Sequence, residues 1–161
     1  MINVKFRVTG MYVGSTPKES REIRVEVNNT PTVLDIMRAV SRDATAGKLG
    51  KLKTFMFSPS NPGEYDSITA IYAVFEGDNN IKPKSGLYGL VDDSKSNPIK
   101  TFQYYIYDKN FKQLNNNGST RRFGQSPDEV ATIRDGYTVV IRQVCILTEP
   151  IVKGFVENIT A

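Results

Sequence analysis

Residues 28–40 read NNTPTVLDIMRAV, and this stretch predicts a helix with a clear starting point. Thr32 is a favourable N-cap, because its side-chain oxygen can accept a hydrogen bond from a free amide of the first turn. Asp35, three positions later, can return the bond and complete a capping box. The apolar residues that follow have the spacing of one helix face: Val33, Ile36, Met37 and Val40. We expect Gly47 or Gly50 to end the helix.

Two strands with strict alternation precede this helix. Every second residue is apolar in INVKFRVT, residues 2–9, and the same pattern recurs in REIRVEVN, residues 21–28. Between them, GSTPKES at residues 14–20 is rich in turn-forming Gly, Pro and Ser. These segments predict an antiparallel hairpin, whose apolar face is the natural surface for the helix to cover.

The remainder of the chain favours strands separated by long loops. Strands are predicted at residues 52–58, 67–75, 101–108 and 137–147, with a short one around Leu87–Val91 and a return strand at FKQL, residues 111–114. A short helix is expected at SPDE, with Ser126 as cap and Pro127 in its first position. The fold class is therefore α+β: a mixed β-sheet with one main helix packed on one face. We expect a single domain over residues 1–161, with an insertion-like loop at 76–100 and an extra strand or tail at 150–161.

The composition removes several kinds of chemistry. The chain has no histidine, which excludes histidine general bases, histidine metal ligands and the serine–histidine and cysteine–histidine catalytic arrangements. Its one cysteine, Cys145, lies in an apolar run, where a buried and inert thiol is expected. Only carboxylate, lysine or tyrosine catalysis is left, and no motif for it is present. We therefore predict no catalytic residues, no metal ligands and no cofactor.

The order of the elements resembles the β-grasp (ubiquitin-like) superfamily. A hairpin is followed by TVLDIM at the start of a helix, and the last strand follows the Asp135–Gly136 turn. The strand with Tyr104 and Tyr105 makes the later half similar to the C-terminal-like binding domains of cobalamin transport proteins. The resemblance implies a β-grasp-like sheet and a binding role. Sulfur carriers of the superfamily end in Gly-Gly, whereas this chain ends ENITA, so we expect no carrier chemistry.

We interpret the chain first as a non-enzymatic binding or protein-interaction module. Its surface would combine a tyrosine-rich sheet face, an exposed edge strand and long loops. The candidate contact residues are Tyr88, Tyr105, Tyr107, Lys84, Arg121, Arg122 and Phe123. Two alternatives remain open: a nucleic-acid-binding protein that uses its basic loops, and an enzyme based on carboxylates or lysine without histidine.

Partners and location are expected from the same features. An open edge strand predicts a protein partner or a second copy of the chain, and the net charge of +4 makes nucleic acid a possible but less favoured partner. No apolar run reaches the length of a membrane-spanning helix, and the N-terminus lacks a signal-peptide pattern. With a single cysteine, these features predict a cytoplasmic protein with no membrane association.

Overall fold

The computed structural model describes residues 1–9, 11–13, 16–18, 22–61, 68–75, 89–91, 99–115 and 122–146. The strands in these ranges are β1 (Ile2–Thr9), β2 (Met11–Val13), β3 (Thr16–Lys18), β4 (Ile23–Val27), β5 (Leu52–Ser58), β6 (Ala70–Phe75), β7 (Gly89–Val91), β8 (Ile99–Tyr107) and β9 (Thr138–Ile146). One α-helix, α1, spans Val33–Thr45, and a 3₁₀ helix spans Glu129–Ala131.

The main sheet has four strands in the order β4-β1-β9-β8. The outer pairs β1–β4 and β8–β9 are antiparallel, whereas β1 and β9 are parallel in the centre. The turn before β9 is bonded directly to β1: Gly136 N–H donates to the Asn3 carbonyl (2.8 Å) and Lys5 N–H donates to the Tyr137 carbonyl (2.9 Å). Gly136 has φ +82°, a conformation that glycine adopts without a side-chain clash. The predicted hairpin of residues 2–9 and 21–28 is confirmed as the β1–β4 pair.

Helix α1 begins as the sequence predicts. Thr32 accepts from Asp35 N–H at 3.0 Å, and the Asp35 carboxylate accepts from Thr32 N–H at 2.9 Å, which completes the capping box. The predicted stripe is buried in a hydrophobic cluster that includes residues of β1, and α1 packs against β4 and β5. Gly47, at φ +75°, ends the helix and donates to the Ala44 carbonyl, so the first of the two predicted glycines is the one used.

Strands β5, β6 and β7 form a separate three-stranded sheet, which the sequence did not predict. Periodicity identified each strand but carried no information on its partners. The helix joins the two sheets, since β5 and β4 both pack against α1. Phe6 of β1 also meets Phe55 of β5 edge-to-face, with ring centroids 5.5 Å apart. A single hydrophobic cluster therefore includes residues from both sheets and from the helix.

Three local predictions are wrong. The predicted turn at 14–20 contains β3, which pairs with β2; Pro17 is tolerated because a strand in a two-stranded pair has an open edge. The helix expected from Ser126 and Pro127 is a 3₁₀ helix capped by Asp128, whose side chain accepts from Ala131 N–H at 3.0 Å. The predicted strand FKQL is reduced to one bridge, between Tyr107 and Gln113.

The α+β fold class is confirmed, with one main helix packed on a mixed sheet. The prediction of one domain over residues 1–161 extends beyond the described residues, and the expected tail at 150–161 lies outside them. Within the described residues, no helix is long and apolar enough to cross a membrane.

Replacement of the helix cap tests how much the start signal contributes. Thr32→Ala removes one half of the capping box, and we expect the free energy of unfolding to fall by about 1 kcal/mol in urea denaturation. Thr45→Ala is the matched control, because Thr45 is exposed at the other end of the helix. We expect that variant to change stability by less than about 0.5 kcal/mol. An equal loss in both variants would contradict a specific role for the cap.

Candidate binding face of the four-stranded sheet

The side of the four-stranded sheet that faces away from α1 carries cations and tyrosines. We call this side the outer face. Side chains of successive strand residues alternate between the two faces, so the apolar positions of β1, β4, β8 and β9 form the core and the intervening residues form the outer face. By strand register, the outer face has four rows: Glu26 and Asn3; then Arg24, Lys5, Thr138 and Tyr107; then Arg7, Val140 and Tyr105; then Arg142 and Gln103.

Tyr105 and Arg142 form the most defined contact on this face. The Arg142 guanidinium carbon lies 4.5 Å from the centroid of the Tyr105 ring and 5.7 Å from that of Tyr107. The Tyr105 hydroxyl is hydrogen-bonded to the side-chain oxygen of Gln103. A guanidinium over a ring is held by the negative face of the π-system. The contact holds Arg142 beside the tyrosines, and its planar guanidinium is suited to an anionic group.

Tyr107 carries a second aromatic ring on top of it. Tyr107 is 7% exposed, and its ring stacks on Phe111 at a centroid distance of 4.4 Å and an interplanar angle of 9°. Phe111 is 54% exposed, so the stack ends in a ring that is open to solvent. Tyr107 thus supports the exposed ring, and Phe111 is the residue that a ligand would touch.

The turn that presents Phe111 is unusual. Phe111 has φ +61°, a left-handed conformation that is disfavoured for bulky residues. The turn is closed around it: the Asp108 carboxylate accepts from the amides of Asn110 (2.8 Å) and Lys112 (2.9 Å), and Phe111 N–H donates to the Asp108 carbonyl (2.9 Å). Strained backbone in bulky residues is concentrated at functional sites. Thr30 and Arg122 share this conformation, and of the three Phe111 places an exposed aromatic ring there.

Positive charge surrounds these rings. Lys109 and Lys112 flank Phe111 and are exposed, and neither forms an ion pair with the described residues. Arg7 lies diagonally from Arg142 on the neighbouring strand, and its buried Nε has no hydrogen-bond acceptor among the described residues. A buried unsatisfied donor is uncommon and calls for an explanation. The acid in the Phe111 turn, Asp108, already accepts hydrogen bonds from two backbone amides.

Of the predicted contact residues, the structure brings Tyr105 and Tyr107 together on the outer face. Phe123 is a correction: it is fully buried, and its ring meets that of Tyr104 edge-to-face at 5.1 Å on the helix side of the sheet. Its carbonyl also accepts from Leu34 N–H at 2.7 Å, which ties this loop to the start of α1. Phe123 is therefore a core residue, unavailable to a surface ligand.

The remaining predicted contacts do not join this face in the described residues. Arg122 is exposed, but it belongs to the loop that Phe123 anchors on the helix side. Tyr88, Lys84 and Arg121 lie outside the described residues, as do most of the loop 76–100 and the end of the loop 59–66.

Sequence reasoning missed the cations of the face and its exposed ring. Lys5, Arg7 and Arg142 occupy outward positions of predicted strands, so alternation alone was a usable signal. Alternation could not show that β1 pairs with β9. That pairing brings the two ends of the described chain together. Phe111 carried no signal, because a left-handed conformation is expected at glycine or asparagine.

The two edges of the main sheet differ. Along β8 the chain folds back, and Asn115 bonds to the strand as a peptide group would: its side chain accepts from Ile106 N–H at 2.8 Å and donates to the Tyr104 carbonyl at 3.0 Å. Leu114 N–H donates to the Ile106 carbonyl at 2.8 Å. This part of the β8 edge is closed. No described residue pairs with the opposite edge, β4.

No family model, no curated protein and no solved structure matches this chain. In the residues that the structure covers, no group of three or more Cys, Asp or Glu side chains is arranged to hold a metal ion. The geometry of the outer face is therefore the main guide to function.

Substitution of Phe111 separates its role from that of the core. Phe111→Gly removes a left-handed strain of about 1 kcal/mol and an aromatic pair of about 0.5–1.5 kcal/mol. We expect the free energy of unfolding to change by no more than about 1 kcal/mol in either direction. Phe102→Ala, on the buried face of β8, is the comparison, with an expected loss of about 3–5 kcal/mol. Similar losses in both variants would show that Phe111 is a structural residue.

Proposed function

We propose that this protein is a non-enzymatic binding module that recognises an anionic partner, such as the acidic surface of another protein, through the outer face. The observation that carries the proposal is the exposed Phe111 ring, held in a left-handed conformation on Tyr107 and flanked by Lys109 and Lys112. A fold that needed only a tight turn would be better served by glycine at this position.

The arrangement of charge supports an anionic partner. Arg142 is held in place by the tyrosines before any ligand arrives, so little side-chain freedom is lost on binding. Arg7 is partly exposed and adds positive charge to the face. Thr138 and Val140, which lie between the cations and the tyrosines, are buried, so a partner would meet the exposed Phe111 ring with Lys109 and Lys112 beside it. Cations beside an exposed ring suit a partner that carries both negative charge and flat groups.

Single-stranded nucleic acid is the second candidate. It is favoured by one observation, namely that aromatic rings and cations are interleaved on one sheet face rather than segregated. Bases stack on exposed rings while lysine and arginine hold the phosphates, and this combination is common in proteins that bind single strands. The face differs from the basic loops first expected to play this role, because its cations lie on β1, β9 and the Phe111 turn.

We also propose that the chain is a divergent β-grasp protein. The support is the strand order: a first hairpin, a helix that follows it, and a last strand that is parallel to the first and antiparallel to its other neighbour. The three-stranded sheet of β5, β6 and β7 would then be an elaboration of that plan. A cytoplasmic location and a second copy of the chain as partner remain predictions from the sequence.

Charge reversal on the Phe111 turn tests the binding proposal. We expect the wild-type protein to bind a short fluorescein-labelled oligothymidylate and inorganic polyphosphate at low salt, measured by anisotropy and by competition. Lys109→Glu combined with Lys112→Glu should weaken both by about tenfold or more, because two phosphate contacts are replaced by repulsion. Lys48→Glu combined with Lys51→Glu changes the net charge equally on the segment between α1 and β5, beyond the opposite edge of the sheet from the Phe111 turn, and should have a much smaller effect.

Phe111→Gly distinguishes the two candidate functions. If bases stack on the ring, this variant should weaken oligothymidylate binding by about tenfold and leave polyphosphate binding unchanged. Equal effects on both probes would favour a partner recognised by charge alone. Failure of either probe to bind at low salt, or equal losses in the two lysine double variants, would contradict the proposal.

A further inference from the structure

We propose that the open edge of β4, at the opposite edge of the main sheet from β8 and the Phe111 turn, is a second binding site for an extended peptide segment with apolar residues and flanking acidic residues. The inference combines three observations: backbone groups along β4 that no described residue pairs with, a cleft with apolar and charged walls beside them, and two lysines at its rim. It does not depend on the function proposed for the outer face.

The backbone groups of β4 that point away from the sheet are identified by its pairing with β1. Asn3 and Lys5 bond towards β9, so the alternate residues of β1 bond towards β4. Their partners Ile23, Val25 and Val27 therefore face β1. Arg24 and Glu26 direct their amide and carbonyl groups to the open edge, where no described residue bonds to them. An extended peptide can satisfy such groups by adding a strand.

A cleft of about 370 Å³ lies beside the first half of this edge. Residues of β4 form one wall, and the segment between α1 and β5 forms the other: Glu22, Ile23, Arg24, Lys48, Leu49, Lys51 and Leu52. Ile23 and Leu52 are buried core residues, whereas Leu49 is partly exposed. These apolar side chains can pack against every second side chain of an added strand.

The rim of the cleft selects for negative charge. Lys48 and Lys51 are exposed, and neither forms an ion pair with the described residues. The one acid of the cleft, Glu22, is bonded to Arg24 at 3.3 Å. Backbone bonds fix the path of this segment, because Lys48 N–H donates to the Asp43 carbonyl at 2.9 Å and Leu52 N–H to the Leu49 carbonyl at 3.2 Å. Cations beside an open strand edge favour an acidic segment.

The test uses the intact protein and the capped peptide Glu-Glu-Val-Ile-Val-Ile-Glu-Glu, which carries acids at both ends because the direction of the added strand is open. We expect saturable binding in calorimetry, and amide-resolved NMR should show its largest shifts at Arg24, Glu26 and residues 48–52. The double variant Lys48→Glu, Lys51→Glu should raise the Kd for the peptide about tenfold or more. Lys109→Glu with Lys112→Glu, of equal charge change, should leave it within about twofold.

Two control peptides test the strand-addition mode. Replacement of the glutamates by lysines should abolish binding, and N-methylation of both valines and both isoleucines should weaken it by about tenfold or more, because the added strand loses its donors. The proposal is overturned if the lysine or N-methylated peptide binds equally well, if shifts are confined to the outer face, or if sedimentation shows that a second copy already occupies β4. Oligothymidylate binding to the outer face is unaffected by these outcomes, so the two proposals can fail separately.

Discussion

The parallel pairing of β1 with β9 is the contact on which the rest of the structure depends. It brings the first and last described strands together at the centre of the main sheet, and both remaining strands attach to this pair. The pairing is reinforced where β9 begins, since Asn3 N–H donates to the Asp135 carboxylate at 2.8 Å while the Asn3 carbonyl accepts from Gly136 N–H. Contacts of such long sequence separation carry a large loop-closure cost, so they form only when many others form with them.

One consequence of this pairing is that the two faces of the sheet carry different kinds of residue. The inner face and α1 form the core, where residues such as Phe6 and Ile141 are fully buried. The outer face places Arg7 of β1 and Arg142 of β9 as diagonal neighbours, next to the tyrosines of β8. The outer face lies outside the hydrophobic cluster around α1, although its Thr138, Val140 and Tyr107 are buried as well.

The sequence predicted those parts of the fold that depend on local signals. Alternation located β1, β4, β8 and β9, and the Thr32–Asp35 pair located the start of α1. Local signals do not report pairing between distant segments, which is why the separate sheet of β5, β6 and β7 was not predicted. Local signals were also ambiguous where several residues that can cap a helix stand close together, as at Ser126 and Asp128.

The same limit applied to the candidate site. Tyr105 and Tyr107 were identified because aromatic residues alternate along one strand, but Phe123 was taken for a surface residue because it follows two arginines. Its burial depends on Tyr104 and on the start of α1, which are distant in sequence. Phe111 could not be identified, because its place in the candidate site depends on a left-handed backbone conformation that its residue type does not suggest.

The most direct test of the account is an amide-resolved NMR titration of the wild-type protein with unlabelled oligothymidylate at low salt. If the outer face is the binding surface, the largest shifts will lie at its outward positions on β1, β8 and β9, including Arg7, Tyr105 and Arg142, and at residues 109–112. Shifts concentrated on α1 or on residues 48–52, or none at saturating ligand, would contradict the central claim that the sheet face opposite the helix binds the partner.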